Sequence, residues 1–171
     1  MLLGEHCMPP NTPSEMSVDG LNVVALMQET GLGIVAILLV TVFHGFFSTR
    51  LLFRAERKNF AHLSQHRPNW VVVNFYLSIA CLVLLHVGEI LIWAMSLELF
   101  RLTDNLLDAL LIAGSTYTTV GFESDSLRPG WRFYPVFIAV SGLFNFAWST
   151  STMMTLLSQA RQAFKIKHKI P

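Results

Sequence analysis

Three long apolar segments constrain the fold of this chain more than any other feature of its sequence. They run from about residue 30 to 53, from about 70 to 95 and from about 131 to 158. An α-helix rises about 1.5 Å per residue, so about 20 apolar residues cross the hydrocarbon core of a bilayer. Charged residues make up 13% of the chain, against about 25% in soluble domains. The sequence therefore predicts an all-α integral membrane protein with three transmembrane helices.

The basic residues predict how these helices are oriented, because Lys and Arg concentrate at the cytoplasmic ends of spans. Residues 1–20 contain neither, and the region 98–130 is more acidic than basic, so both are expected outside. No basic segment precedes the first apolar segment, which is therefore expected to be a retained span and not a signal peptide. The N-terminus is expected outside and the C-terminus in the cytoplasm. The basic residues that carry this prediction lie in the connector from 50 to 67 and in the tail from 161 to 169: Arg50, Arg54, Arg57, Lys58, Arg67, Arg161, Lys165, Lys167 and Lys169.

A fourth apolar segment, residues 105–117, is too short to cross a membrane. It reads N-L-L-D-A-L-L-I-A-G-S-T-Y, with Thr103 or Asp104 as the candidate N-cap of a helix. About a dozen residues suit a re-entrant or interfacial helix better than a span. The overlapping run S-T-Y-T-T-V-G-F-E-S-D covers 115–125, and a polar loop continues to residue 130. The sequence thus predicts a short helix and a loop on the outer side, between the second and third spans.

The run T-T-V-G at Thr118–Gly121 resembles the T-V-G-Y-G selectivity filter of the potassium-channel pore family. Residues 130–150, G-W-R-F-Y-P-V-F-I-A-V-S-G-L-F-N-F-A-W-S-T, resemble the beginning of the inner helix of small bacterial ion-channel family proteins. Residues 86–94, H-V-G-E-I-L-I-W-A, resemble their outer helix. The resemblance implies two pore-domain helices with a re-entrant pore helix and a filter loop between them, in the bacterial inner (plasma) membrane.

The resemblance also implies how the chain is divided. Residues 70–160 would be the ion-channel pore domain, and 21–69 would add a first transmembrane helix and a basic cytoplasmic connector. Residues 1–20, with several prolines and polar residues, would be a loose external tail, and 161–171 a basic cytoplasmic tail.

In this family, filter loops from four subunits line the cation path with backbone carbonyl oxygens. The resemblance therefore implies a homotetramer. The carbonyls of residues 119–122 and the hydroxyl of Thr119 would face the ion, with Tyr117 and Thr118 packed behind. The permeating ion would be K⁺ or another monovalent cation, with no other metal and no cofactor. The residues assigned to the filter are Thr118, Thr119, Val120, Gly121 and Phe122.

Glu123 departs from the family pattern at the outer mouth of the filter. The family has Gly at this position followed directly by Asp, whereas this chain reads Glu123, Ser124, Asp125. If the backbone there is left-handed, a non-Gly residue costs about 1–2 kcal/mol. A wider or differently folded upper filter would follow, which leaves strict potassium selectivity open. Four Glu123 carboxylates could form an outer ring that attracts cations, or Glu123 could point into water.

Polar residues follow one face of the third span. Ser141, Asn145, Ser149 and Thr152 are spaced by four, four and three residues, which places them on one side of a helix. This stripe is expected to line a hydrated cavity. The alternative is hydrogen bonding between helices, or of the Ser and Thr hydroxyls back to carbonyls of their own helix. Gly142 is a candidate for a gating hinge or for close helix packing.

Titratable residues inside the spans are expected to face protein or water, because charge in lipid is costly. His86 and Glu89 lie three residues apart on one face of the second span. They are expected to form a buried hydrogen bond that supports the filter by positioning the pore helix, with a pH-sensitive pair as the alternative. The pair offers too few ligands for a metal ion. His44 is expected to pack between helices or to form an interhelical hydrogen bond, with a proton-linked site as the alternative. Cys81 is expected to be a small buried hydrophobe.

These observations predict a passive transmembrane cation channel, with potassium as the expected ion. The alternative is a non-conducting or weakly selective regulatory membrane protein on the same scaffold, with a filter that has decayed at Glu123. An enzyme is not expected, because the sequence has no nucleophile–base constellation, no phosphate-binding loop and no H-E-x-x-H motif. The net charge of +1 does not indicate a nucleic-acid partner, and the lipid bilayer is the expected surrounding.

Overall fold

A computed structural model describes residues 23–65, 67–121, 127, 131 and 133–168. Within these ranges the chain forms four helices: α1 (Val23–Ser64), α2 (Pro68–Leu99), α3 (Leu106–Tyr117) and α4 (Tyr134–His168). α1, α2 and α4 are each long and apolar enough to cross a membrane, whereas α3 has only 12 residues. The prediction of an all-helical chain with three long apolar helices and one short one is confirmed, and it is compatible with an integral membrane protein. The predicted N-terminal tail, Phe122, Glu123 and Asp125 lie outside the described residues.

α1 continues well beyond the first apolar segment. It has 42 residues and is therefore about 60 Å long, about twice the thickness of the hydrocarbon core. Most of the basic connector is thus a helical extension of the first span. The helix ends at Ser64, and α2 begins with Pro68 in its first turn, where the missing proline N–H costs no helical hydrogen bond.

α1, α2 and α4 all pack against one another, and α3 packs against α2 and α4. The apolar core lies where α2, α3 and α4 meet and includes Trp93, Leu97, Tyr117, Tyr134 and Ile138, which are all fully buried. Large apolar side chains cover the outside of the long helices, as expected for surfaces that face lipid or another copy of the chain.

The buried positions of α2 recur every three or four residues, as expected for one face of a helix. Cys81 lies off that face and is exposed, so the prediction that it is buried is wrong. An apolar run surrounds Cys81 in the sequence, but apolar residues cover the outside of this helix as well. The buried residues of α2 are Val71, Asn74, Ser78, Leu82, His86, Glu89, Trp93, Ala94 and Leu97.

Asn105 is the N-cap of α3, and not Thr103 or Asp104 as the sequence pattern suggested. Its extended backbone (φ −152°, ψ 161°) places the side-chain oxygen 2.8 Å from the backbone nitrogen of Asp108, which donates to it. The Asn105 amide nitrogen in turn donates to the Asp108 carboxylate at 2.7 Å. This reciprocal pair resembles a capping box, and it selects Asn105 because a partner three residues later is present.

Glu29 of α1 holds the beginning of α4. Its Oε1 accepts hydrogen bonds from the backbone nitrogens of Phe133 and Tyr134, both at 2.7 Å, and the side chain is buried. The first N–H groups of a helix have no partner within the helix, and a negative charge there is favoured by the helix dipole. A carboxylate more than a hundred residues away in sequence therefore caps α4.

A second set of polar contacts ties the other ends of the long helices. Asn59 of α1 donates to Gln159 of α4 at 2.7 Å and accepts from Asn74 of α2 at 2.7 Å. Gln159 also donates to Glu56 at 3.1 Å. These contacts and the Glu29 cap show that α1 runs parallel to α4 and antiparallel to α2. The basic ends of α1 and α4 therefore lie at one end of the molecule, and α3 packs toward the other.

We predict that Glu29→Ala lowers the free energy of unfolding by about 1–3 kcal/mol, because two N–H groups lose their acceptor. Glu29→Gln keeps a carbonyl oxygen and should cost less. Thermal unfolding in detergent micelles measures both. The exposed neighbour Gln28 provides the control, since Gln28→Ala should change stability by no more than about 0.5 kcal/mol. Equal losses for Glu29→Ala and Gln28→Ala would contradict the capping role.

Candidate functional site

The loop that follows α3 folds back on the last turn of that helix. The backbone nitrogen of Thr119 donates to the Thr116 carbonyl at 3.0 Å. The nitrogens of Val120 and Gly121 both donate to the Ser115 carbonyl, at 2.8 and 3.2 Å. Three successive N–H groups are thus directed into α3.

The backbone of this loop alternates in handedness. Thr119 has φ 60° and Gly121 has φ 69°, whereas Val120 between them has a negative φ. Alternation of this kind turns successive peptide groups to the same side. In a trans peptide group the C=O points opposite to the N–H, so the carbonyl groups of Thr118, Thr119 and Val120 face away from α3. No donor among the described residues bonds to the carbonyl oxygens of residues 118–121.

The left-handed conformation of Thr119 is costly, because a residue with a Cβ disfavours that region by about 1–2 kcal/mol. Strain of this kind is common at functional sites and needs support from the surrounding structure. Thr118, Thr119, Val120 and Gly121 are all exposed on the single chain. The loop therefore presents strained, exposed backbone immediately after a buried helix end, with carbonyl oxygens that accept no hydrogen bond from the part of the chain that the structure describes.

Tyr117, the last residue of α3, is fully buried and anchored by α2. Its hydroxyl donates to Oε2 of Glu89, and Nδ1 of His86 lies 2.8 Å from the same hydroxyl. The expected buried contact of His86 and Glu89 with the short helix is present. His86 and Glu89 themselves are 3.5 Å apart, so Tyr117 is the closer partner of His86.

His44 and Ser149 complete the cluster from α1 and α4. Nδ1 of His44 lies 2.6 Å from Oε1 of Glu89, and its Nε2 lies 3.3 Å from Oγ of Ser149. The same Oγ lies 2.9 Å from Nε2 of His86. The five side chains therefore form a closed circle of hydrogen-bond contacts that includes all four helices, here called the polar ring: His44, Ser149, His86, Tyr117 and Glu89.

Asn145 of α4 contacts the polar ring from one side. Its amide nitrogen donates to Oε2 of Glu89 at 3.0 Å, while its Oδ1 is buried with no hydrogen-bond partner among the described residues. The ring of Phe146 stacks on His86 with centroids 4.4 Å apart. Polar groups buried in this way are costly unless each has a partner, so the loss of one member would leave others unpaired.

His44, His86 and Glu89 offer ligand atoms that lie within 4.8 Å of one another. Two ligands of a tetrahedral zinc ion, each at about 2.0–2.1 Å from the metal, are about 3.4 Å apart. Nδ1 of His44 and Oε1 of Glu89 are only 2.6 Å apart, which is a hydrogen-bond distance. The described geometry is therefore that of a hydrogen-bonded cluster.

The polar stripe of α4 faces the other helices of the same chain. Ser141, Asn145, Ser149 and Thr152 are all buried. Ser141 accepts from the indole nitrogen of Trp93 at 3.0 Å, and Thr152 donates to the Trp148 carbonyl at 3.2 Å. The stripe does not open onto the surface beside α4, in contrast to the expected cavity lining. Hydrogen bonding within and between helices describes the contacts of all four residues.

Gly142 lies directly against the end of α3. A Cβ at this position would overlap the carbonyl oxygen of Tyr117, so the close approach of α4 and α3 requires glycine here. Of the two predicted roles, close packing is the one that the described contacts support.

A different face of α4, opposite the buried stripe, is exposed and carries small and hydroxyl side chains. Thr150 donates to the Phe146 carbonyl at 2.8 Å, and Ser158 to the Thr155 carbonyl at 2.7 Å. These hydroxyls are satisfied by their own helix and can still accept hydrogen bonds. Sequence reasoning missed this face, although its residues also recur at helical spacing: Ala147, Thr150, Ser151, Met154, Thr155 and Ser158.

No family model, no curated protein and no solved structure matches the chain.

We predict that Gly142→Ala separates α4 from α3 and lowers the free energy of unfolding by about 1–3 kcal/mol. The matched control is Gly88→Ala in α2, where a Cβ would have no neighbour within 4 Å. That control should be neutral or should stabilise by up to about 1 kcal/mol, because alanine favours helix. The midpoints of thermal unfolding in detergent compare the two, and equal effects would contradict the close approach.

Proposed function

We propose that this chain forms a homotetrameric, passive transmembrane cation channel, with potassium as the expected ion, and is not an enzyme. The observation that carries the proposal is the loop at residues 118–121. Its N–H groups bond back to α3 and its carbonyl groups do not bond to the described residues. Carbonyl oxygens that point the same way can replace the hydration shell of a cation. Phe122, Glu123 and Asp125 would continue the path to the outer mouth.

The proposal requires four copies, because one loop cannot surround an ion. Closed rotational symmetry around an axis is the usual arrangement of such assemblies. Two features of the single chain support it: the loop is exposed, and the face of α4 that includes Ser151 is exposed and rich in small and hydroxyl side chains. Around an axis, these surfaces would form the filter and the cavity below it. The C-terminal end of α3 would add its partial negative charge to the cation site.

The direction of the helices supports the proposed orientation. The basic ends of α1 and α4 lie together, as the contacts of Asn59 with Gln159 and Asn74 show. Positive charge marks the cytoplasmic side of a span. The loop after α3 would then lie toward the outer side of a bacterial inner membrane, with the N-terminus outside and the C-terminus in the cytoplasm.

Purified protein in liposomes should pass K⁺ down its gradient, with Na⁺ flux measured in parallel. Gly121→Ala should reduce the flux by about 5- to 30-fold, because alanine costs about 1–2 kcal/mol at positive φ. Gly31→Ala is the control, since a Cβ there meets nothing within 4 Å and the residue is helical. A parent protein that folds as a tetramer and passes neither K⁺ nor Na⁺ would contradict the proposal.

The exposed face of α4 can be tested by cysteine modification. In a background with Cys7 and Cys81 replaced by serine, a charged thiol reagent should abolish most of the flux of Ser151→Cys. Ser141→Cys should be unaffected, because residue 141 is fully buried against α2. Modification of Ser151→Cys without any loss of flux would show that this face does not line the path.

The non-conducting regulatory protein remains the second candidate, because Glu123 stands where the resembled family has Gly. The two candidates differ in the effect of Glu123→Gly. A channel conducts in the parent and gains preference for K⁺ over Na⁺ in the variant. A regulatory protein passes no ion in the parent, and flux appears only in the variant.

A further inference from the structure

The contacts of the polar ring determine how many protons it needs. Five side chains are joined by five contacts, and each contact needs one proton between its two heavy atoms. The hydroxyls of Ser149 and Tyr117 supply one proton each. Two neutral imidazoles, those of His44 and His86, supply one each. These four protons leave one of the five contacts without a proton when Glu89 is ionised.

The same side chains in water at pH 7 would hold only those four protons. The ordinary pKa values are about 4.3 for Glu and about 6.5 for His, so the carboxylate is ionised and the imidazoles are neutral. A ring with four protons would place two acceptors against each other in a buried site and leave a net negative charge there. A fifth proton, on Glu89 or on an imidazole, satisfies every contact and makes the ring neutral.

We infer that the polar ring is a proton-binding site that holds one proton more than its separated side chains hold at pH 7 and above. The inference depends on the closed circle, which the distances establish, and on burial, which keeps water from replacing a missing contact. It is independent of which atom carries the fifth proton, because each arrangement satisfies the same five contacts.

The titratable groups that face the ring come from three helices. α1 contributes His44, α2 contributes His86 and Glu89, and α3 contributes Tyr117. α4 contributes Ser149 and, beside the ring, Asn145, neither of which titrates in this range. The described contacts of the ring involve no other charged side chain.

A sixth proton has no place in the ring. It can be accepted only if a contact breaks or if Asn145 turns its amide over, so that its unpartnered Oδ1 accepts from a protonated Glu89. The ring is therefore most stable at one proton count, and both acid and alkali should weaken it. The separated side chains hold six protons below about pH 6.5 and four above it, whereas the ring holds five. The stability that the ring contributes should therefore peak near the ordinary pKa of His.

The proton count of the ring is tested by thermal unfolding in detergent micelles between about pH 5 and about pH 9, a range that includes the ordinary pKa of His. Above the peak, the unfolding equilibrium constant of the parent should rise by up to about tenfold per pH unit, because unfolding releases one proton. Below the peak the constant should rise by a similar factor as pH falls, because unfolding takes up one proton. The two sides of the peak are here called the alkaline arm and the acid arm of the profile. His62→Gln, which removes a histidine that the ring does not contact, should keep both arms.

Two variants of the ring separate the arms. Glu89→Gln can donate to His44 and accept from Tyr117, so all contacts can be satisfied by neutral imidazoles. It should lose the alkaline arm and have a steeper acid arm, because its unfolding at low pH takes up two protons, one for each imidazole. His86→Gln removes one of the two imidazoles but still needs a fifth proton, so it should keep the alkaline arm and lose the acid arm. Either variant alone decides one arm if the other does not fold.

Between about pH 7 and about pH 9, above the ordinary pKa of His, the stability of the parent should fall with pH while that of Glu89→Gln should not. The same pH dependence of stability in both proteins would overturn the inference. So would stabilisation of the parent at pH 7 by added Zn²⁺ that Glu89→Gln abolishes, because the cluster would then bind a metal ion. The proton count rests on side-chain geometry alone, and only an effect of pH on conduction would rest on the proposed channel. The unfolding profiles are measured whether or not liposomes conduct, so the two proposals can fail separately.

Discussion

The carboxylate of Glu89 is the group on which the packing of all four helices depends. It accepts from Tyr117 of α3 and Asn145 of α4, and it contacts His44 of α1. A carboxyl group inside an apolar bundle is tolerated only when its hydrogen-bonding capacity is used. Because its partners come from three other helices, that requirement fixes how the helices lie relative to one another. Removal of a single partner would leave part of the hydrogen-bonding capacity of this buried acid unused.

α1 is held to the rest of the chain at three levels along its length. Glu29 caps α4 at one end, His44 joins the polar ring in the middle, and Asn59 bridges Asn74 and Gln159 toward the other end. Polar contacts of this kind specify register between apolar helices that could otherwise slide or rotate, because apolar packing has little direction of its own. The first helix therefore acts as a structural brace for α2 and α4.

The polar ring and the exposed loop are connected through the last turn of α3. Tyr117 belongs to the ring, and the Ser115 carbonyl two residues earlier accepts the N–H groups of Val120 and Gly121. A helix end that is fixed by buried hydrogen bonds can hold a strained loop, including the left-handed Thr119. A rigid support behind the loop suits the proposed filter, since carbonyl oxygens that coordinate an ion must be held in place.

The sequence by itself determined the number and order of the helices, because these depend on local features. Continuous apolar runs predicted the long helices, the run up to Tyr117 predicted the short one, and Pro68 marked the turn between α1 and α2. Even at this level the N-cap of α3 was misplaced, since Thr103, Asp104 and Asn105 are all good caps and only the contact with Asp108 selects one.

The sequence also singled out His86, Glu89 and His44, because titratable residues in apolar runs are unusual. Only the tertiary structure decided what these residues contact. His44 and Glu89 are 45 positions apart and Ser149 lies 105 positions from His44, so no local pattern pairs them. The same holds for the faces of α4: Asn145 and Ser151 both lie on polar stripes, and helical spacing alone does not say which stripe is buried. Packing against α1, α2 and α3 made that choice, because Glu89, His86 and Trp93 required partners on the side of Asn145.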